Sequence, residues 1–216
     1  MPRESKKVRR ERAARIFDLL EEEYPQAKTA LTHTNPFELA VATILSAQCT
    51  DERVNMVTPG LFRRFPHAEA LAEAPIGEVE ELIHSTGFFR NKAKNLIGMA
   101  QAVLRDHGGQ LPQTLAELTK LPGIGRKTGN VVLGNAFGID EGVVVDTHVK
   151  RLSGRMGFTR EVTPEKVERD LMEVFPQDRW TPLSHLLIFH GRGSCPARKP
   201  RCGECVVAHL CPSSPV

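Results

Sequence analysis

Four of the five cysteines stand close together in the sequence and could share one metal centre. Their spacing is Cys195-x6-Cys202-x2-Cys205-x5-Cys211, whereas Cys49 lies far upstream. No apolar stretch follows the N-terminus as in an export signal, and clustered thiols then favour a metal over disulfides. A zinc site of paired knuckles would show two C-x2-C pairs, and the ferredoxin spacing does not match either. Spacing alone therefore favours an iron–sulfur cluster only slightly over zinc.

A glycine-rich turn between two predicted helices is suited to binding an anion. The segment reads Leu121-Pro122-Gly123-Ile124-Gly125-Arg126-Lys127. Gly123 and Gly125 permit a positive φ and a close backbone approach, and Ile124 is expected to pack back onto the turn. The second helix offers free N–H groups and a positive dipole end, and Arg126 and Lys120 add charge. A plain helical corner without a ligand is the alternative; the P-loop spacing is absent.

Lys127 and Asp146 are the candidate catalytic residues. Lys127 falls in the first turn of the helix after the glycines, where the positive dipole end favours the neutral, nucleophilic amine. Asp146 follows the apolar run Val143–Val145 and precedes a predicted helix. A carboxylate there can accept a proton or stabilise a developing positive charge. The plainer alternatives are a phosphate-contacting or solvated lysine and an aspartate that only caps its helix.

The elements that position these residues are helices almost throughout. Asn35-Pro36-Phe37-Glu38 is typical of a helix start, and the apolar run up to Ala47 predicts a buried helix. Thr114 and Glu117 form a second capping signal. Val143–Val145 is the one strand-like run, too short for a sheet. Further helical patterns cover 6–24, 51–64, 77–86 and 90–106, with later helix starts near residues 146, 163 and 181. The sequence predicts an all-α protein of nine or ten helices.

The composition is that of an ordinary globular protein. The 216 residues are 40% hydrophobic and 25% charged, which excludes a fully disordered chain, collagen and a coiled coil. No apolar run approaches the ~18 residues of a membrane span, so we expect a cytoplasmic protein without a membrane partner. The net charge of +3 is weak support for a polyanionic partner.

Taken together, the motifs resemble the endonuclease III family of the helix-hairpin-helix DNA glycosylase superfamily. LPGIGRKTGNVVLGNAFG followed by VVVDTHVKR matches the hairpin and the catalytic segment, and C-x6-C-x2-C-x5-C matches the family's [4Fe–4S] loop. The resemblance covers residues 6–212. It implies that Lys127 attacks the sugar C1′, that Asp146 assists, and that the four cysteines hold a [4Fe–4S] cluster with a structural role.

The resemblance also implies the architecture. It predicts two all-α subdomains with a DNA-binding cleft between them. A six-helix barrel with the helix-hairpin-helix motif spans 29–139. Residues 1–28 and 140–216, the two ends of the chain, form the iron–sulfur cluster domain.

Several residues are expected to handle DNA. An enzyme that extrudes a base must fill the gap, and the S-A-Q-x-T-D motif implies this role for Gln48, with Asp51 near the pocket. A polar helix end and a helix cap are their alternatives. Phe88 is predicted to wedge between base steps, although the family carries leucine then tyrosine where this chain has Phe88-Phe89; core packing is the alternative, mainly for Phe89. The predicted contact set is Gln48, Asp51, Phe88, Leu121, Gly123, Ile124, Gly125, Arg126, Arg198, Lys199 and Arg201, the last three on a basic loop that is otherwise simply solvated.

The implied function is a bifunctional DNA glycosylase and AP lyase. It would remove oxidised or saturated pyrimidines from duplex DNA through a lysine Schiff base and cleave the strand by β-elimination. We expect a monomer that binds double-stranded DNA with damaged pyrimidines or abasic sites, associated with the nucleoid in a bacterium. A mismatch-specific glycosylase of the same fold is disfavoured by Lys127. A non-catalytic DNA clamp is disfavoured by the pair Lys127 and Asp146.

Overall fold

A computed structural model describes residues 4–216, so residues 1–3 of the predicted cluster domain lie outside it. The described part contains helices and no β-strand, which confirms the all-α prediction. None of these helices is both long and apolar enough to cross a membrane. The α-helices of the described part are α1 (Lys6–Glu23), α2 (Pro36–Leu45), α3 (Asp51–Arg64), α4 (Ala68–Ala72), α5 (Ile76–Ile83), α6 (Phe89–His107), α7 (Leu115–Leu118), α8 (Arg126–Val132), α9 (Thr147–Arg155), α10 (Pro164–Val174) and α11 (Trp180–Arg192).

Short helical turns supplement these elements. They are the 3₁₀ turns His84–Thr86, Gln177–Arg179, Cys202–Glu204 and Ala208–Leu210, and the π turn Leu133–Phe137. Helix α4 is the element that the sequence analysis missed. It has only five residues, and the side chain of His67 caps it by accepting the N–H of Ala70 at 3.3 Å. Histidine is not a typical N-cap residue, so the sequence carried no start signal there.

The chain divides into two compact units. The hairpin unit, Thr29–Glu141, contains α2 to α8. Its core surrounds α2, which is buried on nearly all sides as predicted: Leu39, Ala40, Val41, Ala42, Ile44 and Leu45 are all buried. The predicted start of α2 is confirmed, because the Asn35 side chain accepts the N–H of Glu38 at 2.9 Å. A helix without a polar face can only be stable inside a domain, so α2 fixes the centre of this unit.

The cluster unit combines the segment that ends at Lys28 with Gly142–Val216, and contains α1 and α9 to α11. Its core includes Ile16, Leu20, Leu152, Phe158 and Leu187, all fully buried. The run Val143–Val145 lies in neither a helix nor a strand. It is held by a side chain instead, because the N–H of Val144 donates to Oγ of Ser184 at 3.2 Å. This buried segment leads directly into α9.

Candidate functional site

The turn between α7 and α8 separates buried anchors from an exposed edge. Leu121 is 3% exposed and Ile124 is 4% exposed, and the N–H of Ile124 donates to the carbonyl of Leu121 at 3.1 Å. The prediction that Ile124 packs back onto the turn is therefore confirmed. Gly123, Gly125 and Arg126 are exposed. The side chains of Leu121 and Ile124 hold the turn, and their backbone N–H groups already donate to the carbonyls of Leu118 and Leu121.

The two glycines of the turn have different roles. Gly123 has φ +79°, and a Cβ there would lie 2.9 Å from Cβ of Asn95 and 3.3 Å from Cδ1 of Ile44. Gly125 has φ −88°, so it does not use the positive φ that glycine permits. A Cβ on Gly125 would meet nothing within 4 Å. Gly123 is required by conformation and packing, whereas Gly125 leaves open space beside the first N–H groups of α8.

Lys127 is the second residue of α8, as the hairpin motif predicts. Its side chain is exposed, and it forms no hydrogen bond or ion pair with any residue in the described range 4–216. Every other charge at the first turn of α8 is also positive, since Arg126 precedes it and no acidic residue occurs there. The amine is therefore free to meet a substrate rather than being committed to a structural ion pair.

Asp146 is the N-cap of α9. Its Oδ1 accepts the N–H groups of His148 and Val149, both at 2.8 Å. The side chain is half-buried. Within the described residues Oδ2 takes part in neither cap bond, so one carboxylate oxygen holds the helix and the other remains available. Asp146 thus caps α9, and the cap leaves room for a second role.

Three non-glycine residues within 4–216 adopt a left-handed backbone: Gln48 (φ +53°), Phe88 (φ +48°) and Lys199 (φ +53°). All three belong to the predicted DNA-contact set. A residue in this conformation is strained, and such strain clusters at functional sites where the surroundings impose it. Each of the three side chains is exposed. The backbone thus presents all three outward at an energetic cost.

The turn from α2 to α3 carries Gln48. The α2 helix ends at Leu45, and Gln48 has no hydrogen-bond partner among the described residues. Gln48 thus lies beyond the helix end rather than closing it. Thr50 caps α3 by accepting the N–H of Arg53 at 3.2 Å. Asp51 is the first residue of α3, so the alternative that Asp51 is the cap was wrong.

The turn before α6 exposes one phenylalanine and buries another. Phe88 is 65% exposed. Phe89 packs against the core, and its ring centroid lies 4.5 Å from that of His84. The guanidinium of Arg90 lies 5.0 Å from the Phe89 ring centroid. Core packing therefore applies to Phe89, whereas Phe88 remains free to act as a wedge.

The sequence did not predict that Lys92 belongs with the turns that carry Gln48 and Phe88. Its side chain is 4% exposed, and Nζ donates to the carbonyls of Leu45 and Thr86, both at 2.8 Å. Burial lowers the pKa of Lys92, and the nearby Cys49 acts in the opposite direction. A signal was present in the sequence. Lys92 shares its helix face with the buried residues Leu96 and Met99, at the spacing of an apolar stripe.

The four clustered cysteines line one small cavity of about 20 Å³. Within residues 4–216 no three His, Cys, Asp or Glu side chains converge as they would round a single metal ion. The described cysteines are all free thiols. Besides the thiols, the cavity wall is formed by Arg155, His190 and mostly uncharged residues, with no carboxylate among them. A thiol-only donor set beside a guanidinium fits an iron–sulfur cluster, which is bound by thiolates and tuned by hydrogen bonds to its sulfurs.

Arginines of α9 fasten the start of this loop. Nη1 of Arg155 donates to Sγ of Cys195 at 3.2 Å and to the carbonyl of Pro196 at 2.8 Å. Nη2 donates to the carbonyl of Ala197 at 2.8 Å. One turn earlier, Arg151 donates to the carbonyl of Cys195 at 3.0 Å. Side chains of α9 thus position the start of the loop.

A second chain of contacts reaches the cavity through His190. The ring is 1% exposed, and burial lowers the pKa of His190 to about 4. Tyr24 lies 3.1 Å from Nδ1, and Sγ of Cys205 lies 3.5 Å from Nε2. A neutral ring with its proton on Nε2 satisfies both contacts, because Nδ1 then accepts from Tyr24. Burial also raises the pKa of the Cys205 and Cys211 thiols, so a bound metal would have to hold them as thiolates.

The basic residues of the cluster loop are exposed. Arg198, Lys199 and Arg201 all face solvent, and Nη2 of Arg201 donates to the carbonyl of Gly193 at 3.0 Å. These three residues carry positive charge on a loop that the cysteines close. They belong to the cluster unit, whereas the turn residues Leu121–Lys127 belong to the hairpin unit.

Known proteins share these features. The model of HhH-GPD superfamily base excision DNA repair proteins matches residues 41–177, and that of the iron–sulfur binding domain of endonuclease III matches residues 195–211. The chain is similar to endonuclease III of Synechocystis sp., with 56% identity over 206 residues, 95% of this chain and 94% of that protein. Endonuclease III of Bacillus subtilis is 45% identical over 90% of this chain and 89% of that protein. A trapped endonuclease III–DNA covalent intermediate has a TM-score of 0.88 at 40% identity, covering 95% of this chain and 96% of that chain.

Proposed function

This chain belongs to the endonuclease III family of base excision repair glycosylases with lyase activity, and we propose that Lys127 and Asp146 carry its reaction on DNA. The substrates are oxidised or saturated pyrimidines in double-stranded DNA, together with abasic sites. Damage weakens stacking and pairing, so such bases leave the helix at a lower cost than intact ones. The protein acts as a monomer on genomic DNA, which in a bacterium places it in the cytoplasm at the nucleoid.

The observation that carries this proposal is the free amine of Lys127 at the start of α8. An exposed lysine that pairs with no residue of the described range 4–216, beside a turn with two glycines, supplies a nucleophile. The amine adds to the sugar C1′ as the bond to the base breaks, and the base leaves with that electron pair. The opened sugar and the amine form a Schiff base. Loss of a proton from C2′ then expels the 3′ phosphate by β-elimination.

Asp146 is assigned the accompanying proton and charge chemistry. Its Oδ1 is fixed by the N–H groups of His148 and Val149, which orients the carboxylate. The second oxygen accepts a proton from the attacking amine or stabilises positive charge on the sugar. A carboxylate held by a helix cap needs no reorganisation when that charge develops.

DNA binding is assigned to three groups of residues. The open space at Gly125 and the N–H groups of α8 receive a backbone phosphate, with charge from Arg126. Gln48 and Phe88 enter the gap that the extruded base leaves. Asp51 borders the pocket that receives the base. The loop residues Arg198, Lys199 and Arg201 contact phosphates through charge alone. These contacts are insensitive to sequence, as a repair enzyme requires.

The chain carries the [4Fe–4S] loop of its family, and Cys195, Cys202, Cys205 and Cys211 would hold the cluster. The cluster would cross-link the cysteine loop and would take no part in the reaction, because the attack by lysine transfers no electron to or from a metal. It closes the basic loop on the cluster unit and stabilises a small helical segment. Arg155 and His190 contribute contacts to the sulfurs at its edge.

One experiment tests the proposal directly. The protein is incubated with a thymine-glycol duplex, an abasic duplex and a duplex with a mismatched adenine or thymine, and borohydride is then added. We expect covalent adducts with the thymine-glycol and abasic duplexes and none with the mismatched duplex. An adduct confined to the mismatched and abasic duplexes would identify a mismatch glycosylase. Tight binding without any adduct would identify a non-catalytic clamp.

A further inference from the structure

One buried ammonium joins the two strained turns of the hairpin unit. Lys92 lies in the first turn of α6, and its side chain is 4% exposed. Its Nζ donates to the carbonyl of Leu45 and to the carbonyl of Thr86, both at 2.8 Å. A buried lysine is costly unless it is hydrogen-bonded, so a contact of this kind has a definite structural purpose.

The two carbonyls mark the ends of two helical segments. Leu45 is the last residue of α2, and Thr86 is the last residue of the 3₁₀ turn His84–Thr86. Carbonyls at helix ends lack a partner in their own helix, and the negative dipole end favours a cation there. Lys92 therefore satisfies two helix ends with one group.

Each helix end leads directly into a strained residue. Gln48 follows Leu45 by three residues, and Phe88 follows Thr86 by two, and both have a positive φ. The backbone N–H of Lys92 also donates to the carbonyl of Phe88 at 3.1 Å. Left-handed residues of this type persist only where their surroundings determine the conformation, and Lys92 is a contact that both turns share.

We propose that Lys92 is a positioning residue that holds the Gln48 turn and the Phe88 turn at a fixed separation, so that both side chains enter the duplex together when a base is extruded. This inference rests on the proposed function and assigns to the site a residue that itself touches no DNA. It requires that the loss of Lys92 impairs duplex opening while the chemistry of Lys127 persists.

The test compares a substrate that needs base extrusion with one that does not. Lys92→Met and Lys92→Gln remove the ammonium and keep much of its length. Lys94→Met is the matched control, because Lys94 is an exposed lysine on the same helix. Borohydride trapping on single-stranded abasic DNA counts the active molecules. Single-turnover excision from a thymine-glycol duplex is then expressed per active molecule, which removes the effect of any unfolded fraction.

We expect both Lys92 variants to retain single-strand trapping and to lose about 10- to 100-fold in duplex excision per active molecule, the order of loss that a 1 Å misplacement causes. The Lys94 variant should stay near wild type. A 2-aminopurine opposite the lesion should brighten less with the Lys92 variants than with wild type, because fewer gaps are opened and filled.

A wild-type ratio of duplex excision to single-strand trapping in the Lys92 variants would overturn the inference. So would equal losses on both substrates, or no active molecules in either variant, since Lys92 would then serve folding alone. Failure of the proposed function has another signature. Wild-type protein would then form no adduct on any substrate, and the 2-aminopurine signal would still report whether Lys92 controls duplex opening.

Discussion

The two units hold their functional residues by different means. In the hairpin unit the backbone does so, through Gly123 and the left-handed turns at Gln48 and Phe88, with Lys92 as the side chain that joins the two turns. In the cluster unit side chains do so, since Arg151 and Arg155 fasten the cysteine loop through carbonyl and sulfur contacts. The first arrangement is complete without a ligand, whereas the second surrounds a cavity that a metal group fills. We therefore expect single substitutions to displace the functional residues of the hairpin unit, and loss of metal to displace the cysteine loop of the cluster unit.

The largest expected effect on activity comes from Lys127, whose side chain does not stabilise the fold. Lys127→Gln keeps length and polarity, and the Lys127 side chain forms no hydrogen bond or ion pair within residues 4–216 that the change would break. We expect loss of the borohydride-trapped adduct and of nearly all strand cleavage, while the melting temperature and lesion binding stay the same. Lys120→Gln is the comparison, and it should retain the adduct. Adduct formation by the Lys127 variant would identify another amine as the nucleophile.

Asp146 tests the cluster unit in the same way. Asp146→Asn keeps an oxygen that accepts the N–H groups of His148 and Val149, and asparagine caps helices as well as aspartate does. Folding should be unchanged, while single-turnover excision falls by roughly 10²–10⁴, the usual contribution of such a group. Wild-type rates in this variant would mean that Asp146 serves only as a cap.

Loss of metal should affect the cluster unit alone. The purified protein is expected to contain about four iron atoms per chain and to absorb light at about 400 nm, as thiolate-bound clusters do. Removal of the iron, or the substitution Cys202→Ser, should unfold the loop from Cys195 to Cys211. DNA binding should then weaken in proportion to the number of basic loop residues that no longer contact phosphates. Hydrogen exchange would localise the change to this unit, with protection in α2 and α6 retained. A colourless zinc protein with full activity would refute the assignment.

The hairpin glycines sharpen the contrast within one turn. Gly123→Ala forces a Cβ to within 2.9 Å of Asn95 at φ +79°, so it should cost roughly 2–4 kcal/mol of unfolding free energy. In Gly125→Val the new Cβ meets no neighbour within 4 Å, so this change should lower the melting temperature less than Gly123→Ala does. It should instead weaken binding to damaged and undamaged duplexes alike, because a phosphate contact carries no sequence information. Selective loss of lesion discrimination would place Gly125 in the base pocket.

Local signals in the sequence predicted most of this organisation. The caps at Asn35 and Thr114, the buried helix α2 and the hairpin all depend on residues a few positions apart, and each is confirmed. The thiol spacing likewise identified a metal loop, and the family match decided its metal. These features are readable because neighbours in sequence determine them.

The features that escaped prediction depend on residues distant in sequence. Lys92 bonds to Leu45, 47 positions away, and Arg155 to Cys195, 40 positions away. No spacing rule links such pairs. The sequence also does not tell which of the two glycines adopts a positive φ, since glycine permits that conformation without requiring it. Only the packing of Gly123 against α6 decides which of the two glycines needs it.

The smallest expected effect concerns the strained residues, one from each unit. Phe88→Gly and Lys199→Gly remove side chains that are exposed and replace a left-handed residue with the one that tolerates this conformation best. Unfolding free energy should stay equal or rise by up to about 1 kcal/mol, measured by denaturant titration. The functional losses should differ. Phe88→Gly should lower excision from duplexes and leave single-stranded abasic cleavage intact, because only a duplex needs a wedge. Lys199→Gly should weaken binding to all sequences and reduce the slope of log K against log salt by about one. Clear destabilisation by both changes would mean that the strain is structural in origin and that neither turn is kept for binding DNA.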